Sequence, residues 1–113
     1  MNRTSYIAGF FDAKGCFERD TITITNTELY LLQNISKALS KIGIKNKITE
    51  RKLKNSKHKK AYDIKIYHRS NIDKFYTYIP IMHRQKRHNI LKYIVDSKYV
   101  IKEGAFANIK RLR

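Results

Sequence analysis

Residues 7–15 have the sequence IAGFFDAKG, which combines small residues suited to close helix packing with an acidic residue, Asp12. A glycine inside a helix costs about 1 kcal/mol relative to alanine, so Gly9 needs a structural reason. Gly9 and Ala13 are four residues apart and therefore share one helix face, where small side chains let another backbone come close. The same residues are also compatible with an amphipathic helix that is buried only within its own domain.

Signals for both ends of this helix lie in the flanking sequence. Thr4 or Ser5 can accept a hydrogen bond from an unpaired backbone N–H and is expected to cap the first turn. Gly15 is expected to end the helix in a left-handed conformation, which glycine adopts without strain. Cys16 is the only cysteine, so it forms no internal disulfide or cysteine zinc site and is expected to pack in the core.

The charge of the chain is strongly one-sided. Lys and Arg number 25 against 9 Asp and Glu, which gives a formal net charge of +16. Such a charge destabilises the compact state by self-repulsion unless a polyanion neutralises it, so nucleic acid is the expected partner. The length of 113 residues and the 13 Tyr and Phe favour one folded domain, expected over residues 1–100, with a basic tail over residues 101–113.

Other classes of protein fit the sequence poorly. No apolar run approaches the roughly 18 residues of a membrane span, and the first residues lack the apolar core of a signal peptide. We therefore expect no membrane partner and an intracellular location, in the cytoplasm or nucleoid. The four histidines have no metal-binding spacing and are expected on the surface or against phosphates: His58, His68, His83 and His88.

Alternation and helical spacing divide the rest of the chain into short strands and helices. The predicted strands are residues 16–18, 21–25, 44–53 and 61–68, with turns at residues 19–20 and 54–60. The predicted helices are residues 28–42, 71–78 and 85–100. Thr27 is expected to cap the first of these helices and Gly43 to end it.

The apolar positions indicate which faces are buried. In the second strand, Ile22 and Ile24 are expected to face the core while the three intervening threonines face outward. In the last helix, the predicted apolar face consists of Ile90, Leu91, Ile94 and Val95.

Residues 6–17 resemble the signature of the LAGLIDADG homing endonucleases, and the order of elements is similar to that family as far as about residue 94. The resemblance implies an α+β fold of order αββαββα, with a four-stranded antiparallel saddle sheet and helices on one face. In the family, two signature helices pair, so a single signature implies a homodimer and a roughly palindromic site on double-stranded DNA. The expected dimer interface comprises Ala8, Gly9, Phe10, Asp12 and Ala13.

The same resemblance raises a question about catalysis. In the family, an acid at the end of the signature helix binds a divalent cation, and Lys14 stands at that position. An ammonium group has no acceptor for a cation, so cleavage is expected to be lost or weakened. Asp12 and Glu18 are the remaining candidate metal ligands, for Mg²⁺ if the protein is active and for no cofactor otherwise.

Further positions match the family's catalytic surroundings. Asn26 falls where the family places a polar residue near the water network. Arg84, Gln85 and Lys86 fall near the basic and glutamine residues that flank the scissile phosphate, and simple phosphate contact is an equally open role for them.

The second hairpin is the expected DNA-binding surface. Its lysines are expected to contact phosphates: Lys45, Lys47, Lys52, Lys54, Lys57, Lys59 and Lys60. Base reading in the major groove is expected from Arg19, Thr21, Thr23, Asn46 and Arg51. A solvated loop is the alternative interpretation of the lysine run, and the short first hairpin implies a small interface with low sequence specificity.

Three functions therefore remain open. The first is a DNA-binding protein of this family whose cleavage is lost or weakened. The second is an active homing endonuclease, and the third is an RNA-binding splicing cofactor that resembles the maturases of the same fold.

Overall fold

The computed structural model describes residues 3–51 and 60–105, with eight elements in this part of the chain. The helices are α1 Arg3–Lys14, α2 Leu29–Lys41, α3 Arg69–Tyr78 and α4 Arg84–Ala105. The strands are β1 Gly15–Glu18, β2 Thr21–Asn26, β3 Lys47–Arg51 and β4 Ala61–Ile66. All strand pairs are antiparallel and the sheet order is β1-β2-β4-β3, which confirms the predicted α+β class.

The core lies between one face of the sheet and the helices. In the central strand pair, Ile22 lies opposite Ile66 and Ile24 opposite Ile64, and all four side chains are fully buried. Phe11 of α1 and Phe75 of α3 are also fully buried and meet edge to face at 5.3 Å. The inward direction of the β2 isoleucines is as predicted, because alternate side chains of a strand point to opposite faces.

The first hairpin turns through Arg19 and Asp20, as predicted. Both residues have left-handed backbone angles, with φ of 51° and 62°. Two successive left-handed residues are typical of the tight turn whose twist matches that of the flanking strands. The hairpin therefore projects no extended loop beyond the sheet.

Two predicted helix caps are wrong. Thr4 and Ser5 lie inside α1, which already includes Arg3. Thr27 makes no cap for α2; Asn26 accepts a hydrogen bond from the Glu28 N–H at 2.7 Å and turns the chain into the helix. An Asn side chain that bonds the backbone two residues later competes directly with a neighbouring cap residue.

The two glycines predicted at helix ends differ in role. Gly43 has φ of 84° after α2 and donates its N–H to the Ser40 carbonyl, as expected of a left-handed helix terminator. The prediction that Gly15 ends α1 in a left-handed conformation is wrong, because Gly15 is the first residue of β1. A Cβ at Gly15 would overlap the ring and carbonyl of Phe11, so close packing between α1 and β1 requires the glycine.

The remaining differences lie in the second half of the chain. β3 begins three residues later than predicted and β4 ends two residues earlier, while the predicted end of β3 at residues 52–53 and most of the predicted 54–60 turn lie outside the described residues. α4 continues to Ala105, five residues beyond its expected end, while the domain boundary at residue 100 remains a prediction. Ile90 and Ile94 are buried as expected, but Leu91 and Val95 are 36% and 54% exposed, so half of the predicted apolar face points outward. None of the described helices is long and apolar enough to cross a membrane.

Candidate nucleic-acid interface

The sheet face opposite the isoleucines, called the open face here, carries small, polar and charged side chains. Its strand register aligns Cys16, Thr23, Lys65 and Lys47 in one row across all four strands. The same face includes Thr21, Thr25, Thr49, Arg51 and Asp63 by alternation along the strands. Thr21 and Thr23 therefore lie on the face where base contacts were expected, although Thr23 is only 7% exposed.

Cys16 lies on this open face and is exposed, so its predicted burial in the core is wrong. The reason is its neighbour Phe17, which takes the inward position and places its ring 5.4 Å from that of Tyr93. Partial desolvation, followed by the carboxylate of Glu18, raises the pKa of the Cys16 thiol above its ordinary value.

Cations on the open face come from both strands of the second hairpin, β3 and β4. The Lys47 ammonium lies 5.6 Å from the centre of the Tyr67 ring, a distance at which a cation is attracted by the aromatic face. Lys65 is a direct cross-strand neighbour of Lys47 that the sequence analysis missed. The alternation of Asp63, Ile64, Lys65 and Ile66 was the signal that could have identified it.

Arg51 is held within the sheet. Its Nε donates to Asp63 Oδ2 at 3.2 Å, and its Nη2 donates to Asp63 Oδ1 at 3.1 Å and to Thr25 Oγ1 at 3.3 Å. The Arg51 side chain is 45% exposed, whereas that of Asp63 is 6% exposed. One edge of the guanidinium is thus occupied, and the end with Nη1 remains for any base contact.

Asn46 does not serve the open face, which corrects its expected role in base reading. Its side-chain Oδ1 accepts from the Ser36 hydroxyl of α2, and its Nδ2 donates to the Ile44 carbonyl at 3.0 Å. Asn46 precedes the open-face residue Lys47, so alternation turns its side chain to the helix side of the sheet.

The other predicted DNA contacts lie around the rim. Arg19 is exposed in the first turn and Lys45 is exposed before β3. Lys60 forms an exposed ion pair with Glu50 at 3.6 Å, which leaves it less free for phosphate. Four predicted contacts lie outside the described residues: Lys52, Lys54, Lys57 and Lys59.

The end of α1 is tied to the start of α4. The Asp12 carboxylate accepts hydrogen bonds from the backbone N–H groups of Met82, at 3.0 Å, and His83, at 3.1 Å. Lys86 Nζ donates to the carbonyls of Phe11, at 3.1 Å, and Asp12, at 2.7 Å. The last carbonyls of a helix lack intrahelical partners and favour a nearby cation, so both side chains stabilise this junction.

The outer face of α1 lines a groove of about 400 Å³ whose surface is mostly apolar. The groove is lined by Ser5, Tyr6, Gly9, Phe10, Ala13, Lys14 and Asn26. Gly9 faces open space, because a Cβ at this position would meet no atom within 4 Å.

Only part of the expected dimer interface lies on this outer face of α1. Ala8 is 3% exposed and packs in the core, and Asp12 is bonded toward α4, so neither belongs to this outer face. Gly9, Phe10 and Ala13 remain on it.

Within one protomer, the predicted metal ligands do not come together as a divalent-cation site among the described residues. Lys14 ends α1 without an acceptor atom, and the Asp12 carboxylate already accepts two backbone bonds. Glu18 is three residues along β1 from Gly15, about 10 Å away at strand spacing. Among the described residues, no group of three His, Cys, Asp or Glu side chains could hold a metal ion.

The remaining predicted catalytic residues are dispersed. Asn26 lines the groove beside Lys14 while its Oδ1 accepts from Glu28. Arg84 is exposed at the start of α4, and Gln85 donates to Asn89 Oδ1 at 2.9 Å on the same helix.

These features define a small basic α+β domain with one exposed sheet face and an unusually open first helix. The sequence profile of the LAGLIDADG-like domain matches residues 2–80, so the chain belongs to the LAGLIDADG homing endonuclease family. The chain is also similar to the replication factor C small subunit of Thermococcus kodakarensis, with 24% identity over 90 residues. These residues are 80% of this chain and 10% of that protein, so the chain spans about a tenth of the curated relative.

Proposed function

We propose that this protein binds double-stranded DNA as a homodimer, at a roughly palindromic site, and that its metal-dependent cleavage is lost or weakened. Family membership and the net charge of +16 support DNA as the partner. The pair Lys47 and Lys65 on the open face adds local support, because lysines that neutralise phosphates release condensed counterions and so favour binding.

The outer face of α1 supports the homodimer. Gly9 lowers helix propensity, and a Cβ at this position would meet no atom of the described residues within 4 Å, so close approach of a second chain accounts for the glycine. A second α1 has a matching apolar groove and a backbone that the small residues Gly9 and Ala13 would let come close. Twofold pairing through this face makes the two sheets equivalent, and each sheet then meets one half of the DNA site.

Lys14 is the observation that carries the proposed loss of cleavage. It occupies the family's acid position, and pairing of α1 with its twin brings two ammonium groups near the twofold axis. Two such groups repel a divalent cation and attract a DNA phosphate. The Lys14 pair therefore contributes to DNA affinity instead of hydrolysis.

Selection of bound DNA from a random library, followed by assays on a plasmid that carries the selected site, tests this proposal. We expect the wild-type protein to shift the DNA without nicking it in Mg²⁺ or Mn²⁺. Robust double-strand cutting would overturn the proposed loss of activity. Sedimentation equilibrium should give twice the protomer mass of 13.4 kDa, and a monomer bound to an asymmetric site would contradict the dimer.

The substitution Lys14→Glu tests the role of the helix end directly. It creates a symmetric pair of carboxylates, so we expect Mg²⁺-dependent nicking to appear. Lys14→Gln is the matched control, because it removes the charge without supplying a carboxylate, and it should stay inactive. If structured RNA displaces duplex DNA from the wild-type protein at matched salt, RNA replaces DNA as the proposed partner.

A further inference from the structure

Three neighbouring strands each contribute one side chain to a hydrogen-bonded cluster on the open face, Thr25, Arg51 and Asp63. Thr25 lies directly opposite Asp63, and its hydroxyl donates to Asp63 Oδ1 at 2.6 Å. Arg51 approaches from β3 and places Nε and Nη2 on the two carboxylate oxygens. Such a paired contact fixes the plane of the guanidinium as well as its position.

The acid in this cluster is unexpected on a surface that meets phosphates. A carboxylate repels the DNA backbone, and Asp63 lies beside the cationic row of Lys47 and Lys65. Neither of these lysines has an acidic partner among the described residues, and a lysine contacts a phosphate as a point charge, without a fixed side-chain plane. Base reading does require such a plane, because a guanine presents its two acceptors, N7 and O6, at fixed positions.

We infer that Asp63 is a positioning residue that holds Arg51 for reading a base in the major groove, with Thr25 as its second support. This inference rests on the proposed DNA-binding function. With Nε and Nη2 bound to Asp63, the planar guanidinium leaves the two N–H groups of Nη1 at its other end. The Arg51 side chain then loses little further conformational entropy when DNA binds, and its fixed orientation favours the base whose acceptors match it.

The competing explanation is that the cluster only stabilises the pairing of β3 with β4. In that case, loss of Asp63 should lower thermal stability and leave sequence preference unchanged. A positioning residue predicts a loss of discrimination at one base pair in each half-site, while affinity for unrelated DNA is kept or raised because a negative charge is removed. Sequence preference is thus the readout that separates the two.

The test measures affinity by fluorescence anisotropy for the selected DNA site and for versions changed at single base pairs. Asp63→Asn and Arg51→Lys should each reduce discrimination at the same base pair by about tenfold. Lys65→Gln is the matched control on the same face; it should weaken binding to all sequences about equally and preserve discrimination. Thr25→Val, which removes one support, should give a smaller loss at that base pair and serves if Asp63→Asn does not fold.

The outcomes separate this inference from the proposed function. Failure of the wild-type protein to bind DNA overturns both. Binding without any preferred sequence, or an unchanged preference in every folded variant of Asp63 and Thr25, overturns the inference and leaves DNA binding intact. Loss of discrimination at different base pairs for Asp63→Asn and Arg51→Lys also contradicts it, because the two residues then act separately.

Discussion

Gly9→Ala should have opposite effects on the protomer and on the dimer. In the protomer, the added Cβ meets no atom within 4 Å, so α1 gains about 1 kcal/mol of helix stability. For a domain of this size, such a gain raises Tm by about 4 °C. In a dimer paired through α1, each Cβ separates the two backbones, and overpacking costs about 1–3 kcal/mol. We therefore expect the dimer Kd to rise by about 5- to 150-fold.

Sedimentation equilibrium over a range of concentrations gives the Kd, and melting at a concentration well below it gives the stability of the protomer. Ala13→Gly is the complementary control on the same helix face. It should lower protomer stability while it still allows the backbones to approach. If Gly9→Ala raises Tm and leaves the dimer Kd unchanged, the outer face of α1 is not the dimer interface.

Further predictions concern the junction, the open face and the cysteine. Asp12→Asn weakens two charge-assisted bonds to the Met82 and His83 N–H groups and should lower the stability of the fold by about 1–3 kcal/mol in urea unfolding. Lys47→Gln should reduce the salt dependence of DNA binding by about one unit of slope in a titration against salt, whereas an unchanged slope would remove Lys47 from the interface. Because its pKa is raised, the Cys16 thiol should react with iodoacetamide with a midpoint at higher pH than a free cysteine, and bound DNA should slow the reaction; a midpoint below that of free cysteine would contradict the stated environment.

Local signals in the sequence predicted most of the fold. The alternation of Ile22 and Ile24, the turn at residues 19–20 and the left-handed Gly43 each depend on a few adjacent residues, and each is confirmed. Where two local signals compete, the choice depends on energy differences that spacing does not reveal. Asn26 and Thr27 are an example, since either could have turned the chain into α2.

The candidate site was less accessible to sequence reasoning because its contacts join distant residues. Lys86 reaches the carbonyls of Phe11 and Asp12 across more than 70 residues, so a residue expected near catalysis stabilises a helix junction that no local pattern predicted. Arg51 and Asp63 become neighbours only once β3 pairs with β4, and no local pattern identifies that pair.

The direct succession of α1 and β1 has a consequence for the choice of target. Lys14 is the last helical residue and Gly15 the first strand residue, and the Phe11 ring fills the space between the two elements. No linker can absorb a rotation between them, so two paired helices would hold their sheets at one fixed separation along the double helix. A palindrome with one extra base pair at its centre would present its outer half out of phase, and the protein should reject it even though every contacted base is unchanged.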